Sequence, residues 1–397
     1  MLSDKKMIAF WNIRLLFAIP LTLILAFLFH GQLWGSAITP ITKHAEYSTA
    51  IDDDGGTVYG KLSSSPRILQ TTMLLGDQSN NITERCIKTH LEHGDRWGYK
   101  TIVLRRDFMS FEHENGANSG YPKLLWDKAL HMLSLLLDEL KKPDDVRAEW
   151  LIWFDSDTIL LNPNIPWSLF LPAVDYLPDE PPINYIASYD PNGLNSGLYM
   201  IRVTPWAVRY LTSVSSLSVL RPDAELASNT EQNWQRWVLK QPDFGAHAIF
   251  QPDIWYQKVL SSWLPDPNPQ AGDMQVHFAG LREYNEKLAD MEMWLGKREE
   301  MQTDKEHMPL EKSGYPERVA EYWALTAQSK DAVRLASEMK ANEEWAALDE
   351  VSKQRIEAEE MALREILMDF FWKPDELRTH VANLDDLWRA VDMEQQR

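Results

Sequence analysis

Two carboxylates one residue apart, Asp155 and Asp157, close an apolar run that reads WLIWFDSDT from Trp150. Paired oxygen donors of this kind are hard ligands, suited to Mn2+ or Mg2+ rather than to a thiolate-loving metal. Far downstream, in Val276-His277-Phe278-Ala279-Gly280-Leu281-Arg282, His277 can add a nitrogen ligand and Arg282 can pair with phosphate oxygens. Two further polar sets lie between. Asn195-Ser196-Gly197 enters an apolar run, and a glycine there lets a sugar or another backbone approach closely. Glu231 and Gln232 open an aromatic helix, where they could also be plain first-turn residues behind an N-cap at Thr230. A set like this can hold a divalent cation against an anionic leaving group. The same string from Phe154 to Thr158 also fits the DxDxT pattern of haloacid-dehalogenase-type phosphatases, with Asp155 as nucleophile.

The elements that must position these residues can be read from periodicity. Four successive apolar residues, Leu151 to Phe154, predict a strand buried on both faces. In open α/β sheets ligands sit just beyond the carboxyl ends of such strands. Further strands are expected over 67–75, 100–104, 185–188 and 197–202, and helices over 83–92, 122–140 and 231–239, while the Pro-rich stretch 264–269 breaks structure before 275–278. This alternation predicts an α/β fold with a mixed, mostly parallel sheet flanked by helices. After residue 284 the chain turns to helical, Glu- and Lys-rich sequence, and most of the excess acidity lies there. The expected layout is a catalytic domain over 66–284 and an acidic helical extension over 285–397.

The N-terminus carries an address. Lys5, Lys6 and Arg14 precede an apolar segment, which predicts a cytosolic tail (1–14), a transmembrane signal anchor (15–36) and a flexible stem (37–65), with the remainder lumenal. A cleaved signal peptide ending near Ala37 is the competing reading. One sequon, Asn81-Ile82-Thr83, is compatible with that compartment. The chain has 397 residues with 17 Trp, enough for a large core, and a formal net charge of −19. That charge argues against a nucleic-acid surface, and it means that a bound diphosphate needs a metal or local cations. Cys86 is the only cysteine, so neither an intrachain disulfide nor a cysteine metal site can form.

Taken in order, the first strand, the strand ending in Asp155-Ser156-Asp157, the NSG strand, the acid-Gln pair and the HFAG segment resemble glycosyltransferase family 34. That family contains fungal α-galactosyltransferases, Golgi α-mannosyltransferase subunits and plant xyloglucan xylosyltransferases. The resemblance covers roughly residues 66–284. It implies a GT-A fold, a nucleotide-sugar donor (UDP-galactose or GDP-mannose), a mannose-containing glycan acceptor, Mn2+ or Mg2+, retention of anomeric configuration, a Golgi membrane location and membership in a transferase complex as an option. It places Asp155, Asp157 and His277 on the metal, Asp155 also near the donor ribose, and Arg282 on the diphosphate. Glu231 and Gln232 fall near the reacting sugar, Asn195 and Ser196 line the donor or acceptor pocket, and Asp190 belongs to a neighbouring loop. The sequence departs from the family at Leu281, where Cys is common, and at Arg282, where Lys is common. A non-catalytic subunit of a Golgi transferase complex is a further reading, against which the intact Asp155, Asp157 and His277 weigh.

Overall fold

Every strand carries at least one β-branched or aromatic residue, the types that fit a pleated, half-buried surface. β1 is Ile68–Met73, β2 Lys100–Leu104, β3 Trp150–Phe154, β4 Thr158–Leu160, β5 Tyr185–Asp190, β6 Gly193–Arg202, β7 Ala248–Phe250, β8 Lys258–Val259 and β9 Gln275–His277. The computed structural model describes residues 66–75, 80–105, 120–173, 180–190, 193–220, 231–259, 269, 272–279, 284–303, 308–367 and 372–395. The expected tail, anchor and stem, together with Thr230 and Arg282, lie outside the described residues. Among the described residues no helix is long and apolar enough to cross a membrane.

Six strands form one sheet in the order β2-β1-β3-β6-β5-β7. Every neighbouring pair is parallel except those made by β6, which runs antiparallel to both β3 and β5. The mixed, mostly parallel sheet is therefore as expected. The reversal at β6 has a local cause. β5 and β6 are joined by a tight hairpin in which Asp190 pairs with Gly193, and a link that short cannot make a parallel crossover. Gly193 takes φ 116°, a conformation that side chains other than hydrogen rarely accept. A second, three-stranded sheet of order β4-β9-β8 stands beside the end of β3.

β3 is buried on both faces, as its sequence requires. Leu151 and Trp153 point into one core with Ala129, Met132, Tyr210, Val214 and Trp234. Trp150, Ile152 and Phe154 point into the other, with Trp167, Phe170, Trp255 and Tyr256. The helices over the first core are α2 (Gly120–Leu140), α3 (Pro205–Leu220) and α4 (Glu231–Leu239), followed by the single turn α5 (Pro242–Gly245). α1 (Asn81–Trp97) starts with a capping box between Asn80 and Thr83 and stops at Gly98, which adopts φ 72°.

The helices after residue 284 are α6 (Tyr284–Thr303), α7 (Tyr315–Lys340), α8 (Glu343–Ala347), α9 (Glu350–Leu367) and α10 (Pro374–Gln395). Only the later ones form a cluster of their own, with Leu325, Val333, Ile356, Leu363, Leu377 and Leu384. α6 lies against α1. Arg298 donates to Leu160 O at 2.7 Å and to Glu92 at 2.7 Å, and Arg85 pairs with Glu292. The first half of α7 buries Tyr315, Val319 and Tyr322 in the second core of the sheet. Tyr315 Oη donates to Trp255 O at 2.7 Å and accepts from Met274 N–H at 3.1 Å. Tyr315→Phe leaves both of those buried backbone groups short of a partner. It is expected to cost about 1–3 kcal/mol, read as a lower urea midpoint at unchanged slope. An unmoved midpoint would show that this tether does not hold β9 in place.

Candidate active site

The turn after β3 is built by its own backbone and one buried histidine. Asp155 N–H donates to Gly197 O at 2.7 Å, and Thr158 returns two bonds to Asp155 O, from its N–H at 3.2 Å and its hydroxyl at 2.7 Å. With its proton committed there, Thr158 Oγ1 can only accept from His90 Nε2, 2.9 Å away. His90 also stacks on Phe154 with ring centroids 3.8 Å apart, and burial drives its pKa down, so the ring is neutral.

β4 then pairs antiparallel with β9, with Thr158 opposite His277, and Phe278 N–H donates to Asp157 O at 3.0 Å. This brings the downstream imidazole to the acidic turn. Its orientation is set by Gln257. The amide nitrogen of Gln257 donates to Asn195 O at 2.9 Å and Leu198 O at 3.0 Å, so its oxygen faces His277 Nδ1 at 2.8 Å. Nδ1 must carry the proton, and in the neutral ring the lone pair is on Nε2. Nε2 is the atom turned to Asp157 Oδ1 (3.4 Å) and Asp155 Oδ2 (3.9 Å). Gly197 makes room for the ring, since a Cβ there would come within 2.8 Å of both ring nitrogens. The close approach at the NSG glycine is thus made by the His277 side chain, not by the sugar or backbone expected there.

Asp155 divides its oxygens. Oδ1 accepts from Trp153 Nε1 at 2.6 Å and from Lys128 Nζ at 3.0 Å, which leaves Oδ2 on the side of His277. Lys128 is almost wholly buried. It also donates to Ser196 O at 2.5 Å, lies 3.1 Å from Glu231 Oε1 and sits 4.9 Å from the centroid of the Trp153 ring. Burial alone would weaken its charge, but the carboxylates of Asp155 and Glu231 outweigh that and hold it above the usual lysine range. Glu231 further accepts from Ser196 Oγ at 2.6 Å, and Gln232 Oε1 accepts from Ser196 N–H at 3.0 Å. Asn195 braces the hairpin, donating to Asp190 Oδ2 at 3.0 Å while accepting from Gly197 N–H at 2.8 Å. On the other flank the Lys287 ammonium sits on Asp157 Oδ2. Burial opposes the Asp157 charge, yet the ammonium of Lys287 holds its carboxyl well below the usual range.

Asp155, Asp157 and His277 each offer one ligand atom, and these atoms lie within 4.8 Å of one another. Two carboxylate oxygens and an imidazole nitrogen whose opposite N–H is held by a second group fit a divalent cation well. An imidazole closes the cluster, rather than the later acidic pair that a phosphatase would need. The structure thus gathers the expected Asp155, Asp157 and His277 in one group and sets Glu231, Gln232, Ser196, Asn195 and Asp190 beside it. The sequence reading missed Lys128, Gln257, Trp153 and Lys287. For Lys128 a signal existed, since it stands between Leu125 and Met132 on the apolar face of the helix expected there.

A probable α-1,2-galactosyltransferase, gmh1, of Schizosaccharomyces pombe (strain 972 / ATCC 24843) is 24% identical to the chain over 258 residues, 55% of this chain and 70% of that protein. The glycosyltransferase resemblance is borne out. Family 34 accords with it, although no family model matches the sequence. Among solved structures, a glycosyltransferase involved in the glycosylation of the major capsid of PBCV-1 is similar with a TM-score of 0.42 and 17% identity, over 57% of this chain and 100% of that one.

Two substitutions test the construction of this site. Lys128→Met strands two carboxylates in the interior and is expected to cost about 3–5 kcal/mol in urea unfolding. A cost under about 1 kcal/mol would show that the buried charges are compensated elsewhere. Gly197→Ala is expected to push the imidazole off the carboxylates and weaken Mn2+ binding about 10–100-fold by calorimetry, as loss of ligand orientation does. Unchanged Mn2+ affinity would remove His277 from the cation site.

Proposed function

We propose that the chain is a metal-assisted, retaining glycosyltransferase that moves a hexose from a nucleoside-diphosphate donor to a mannose-containing glycan. The observation that carries this reading is the convergence of Asp155 Oδ2, Asp157 Oδ1 and His277 Nε2 beyond the carboxyl end of β3, where α/β sheets bind ligands. Galactose is favoured over mannose as the sugar because the S. pombe relative is named a galactosyltransferase. Residues 15–36 would anchor the protein in the Golgi membrane with the site in the lumen, and Arg282 would add a cation for the diphosphate.

A divalent cation bound at this cluster would neutralise the negative charge that grows on the departing diphosphate. The protein's own groups prepare for it. Trp153 and Lys128 fix the rotamer of Asp155, and Gln257 fixes the tautomer of His277. Glu231 is buried and already bonded by Ser196 and Lys128, so it is not a free nucleophile but part of the frame behind the sugar site. Gln232 is less buried, and its amide can face a sugar while its oxygen stays on Ser196. With no carboxylate left uncommitted in this set, same-face attack fits best, the departing phosphate oxygen taking the acceptor proton. A purely scaffolding role would not need the tautomer lock on His277.

Purified full-length protein in detergent, given UDP-galactose or GDP-mannose and an α-mannoside acceptor, is expected to yield a hexose-extended product by mass only when Mn2+ or Mg2+ is present. Asp157→Ala is expected to lose transfer by at least about a hundredfold while keeping its circular dichroism and melting curve. Transfer that survives EDTA, or an Asp157→Ala protein of near-normal activity, would sink the reading.

A further inference from the structure

Asp157 is shared between two claims. Its Oδ1 faces His277, and its Oδ2 carries the ammonium of Lys287. Lys287 comes from the first turn of α6, a helix anchored by contacts other than this ion pair. Arg298 ties α6 to Leu160 O and Glu92, the Glu292 and Glu299 of α6 pair with Arg85 of α1, and Tyr284 Oη accepts from Asn80 Nδ2 at 2.9 Å. The helix stays put while the four-carbon stem of Lys287 can swing. The lysine side chain is about one-fifth exposed (22%), against 3% for Lys128, so it is not enclosed by the core.

A divalent cation drawn to Asp155, Asp157 and His277 would meet this ammonium on the same carboxylate. Two cations there repel each other, and the lysine must leave or pull back. A nucleoside diphosphate brings the negative charge that a displaced ammonium needs. We propose that Lys287 is the site's built-in counter-ion: it holds Asp157 before metal binds, competes with the divalent cation for that carboxylate, and transfers to the donor diphosphate when metal and donor bind together. This makes metal binding weak alone and strong with nucleotide, a positive coupling between the two ligands. The inference rests on the cation site proposed above but not on the identity of the sugar or the acceptor.

Mn2+ titration by calorimetry, with and without saturating UDP or GDP, tests it on the full-length wild type, Lys287→Met, Lys287→Arg and Asp157→Ala. Lys287→Met is expected to bind Mn2+ alone at least about fivefold more tightly than wild type, and the gain in Mn2+ affinity on adding nucleotide is expected to shrink by a similar factor. Lys287→Arg keeps the wild-type pattern. A merely structural lysine would give a metal affinity that is unchanged or lower in Lys287→Met, and that result overturns the proposal. A second readout needs no variant. Mass-mapped labelling of wild-type lysines with an amine-reactive reagent is expected to rise at Lys287 with Mn2+ alone and to fall again with Mn2+ and UDP or GDP. Labelling indifferent to Mn2+ also overturns the proposal. Mn2+ affinity that Asp157→Ala leaves intact would overturn both this inference and the cation site. Normal metal coupling without sugar transfer would leave Lys287 as proposed and discard the transferase reading.

Discussion

A three-residue antiparallel ladder holds the site together. Thr158–Leu160 on Gln275–His277 carries an imidazole to two carboxylates that lie far from it in the chain. The ladder is short, so it needs support from outside, and it has support on both sides. Ile159, Leu161, Val276 and Phe278 pack with Cys86, Met291, Trp294 and Leu295 from α1 and α6. Burial there raises the Cys86 thiol far out of the reactive range, in keeping with a packing role. Backbone pairing fixes which residues stand opposite each other, and the apolar contacts remove the alternative registers.

Charge is the second constraint. Asp155, Asp157 and Glu231 would repel one another if desolvated alone. Lys128 between Asp155 and Glu231, and Lys287 on Asp157, offset them before any cation arrives. Buried ion pairs of this kind add little to net stability compared with apolar packing, so their presence argues for positioning rather than for folding. The two lysines differ in a way that matters. Lys128 is enclosed by Trp153, Tyr199 and Ser196 and has no route out, whereas Lys287 is partly exposed. One fixes a ligand and the other can yield a place.

Much of this was legible in the residues. The apolar run 151–154 could only be a strand buried twice, and β2 and α4 fall where their periodicity puts them, at Lys100–Leu104 and Glu231–Leu239. The residues of the candidate cation cluster were legible only as a set: an Asp-x-Asp turn or a lone histidine has ordinary structural uses, and the ordered resemblance is what joined His277 to the two carboxylates. β4, β7, β8 and β9 were not, since two or three residues carry no readable alternation. The roles of Gln257 and Lys128 were hidden for a different reason. A buried glutamine or lysine gives the same local pattern whether it is braced or stranded, and only the partners tell which.

The acidic C-terminal sequence reads as a helical extension packed on the preceding domain, and part of it also builds the site. α6 supplies Lys287 directly, and its Arg298 holds Leu160 in β4. α7 supplies Tyr315, whose hydroxyl takes Met274 N–H just before β9 begins, so it fixes the level at which Gln275 and His277 enter the ladder. Were the helices after residue 284 a free appendage, neither the height of His277 nor the counter-ion on Asp157 would be set. The packing that positions the described site residues therefore runs through the first half of α7. Only the cluster from Leu325 onward is packed on itself and has no part in positioning the described site residues.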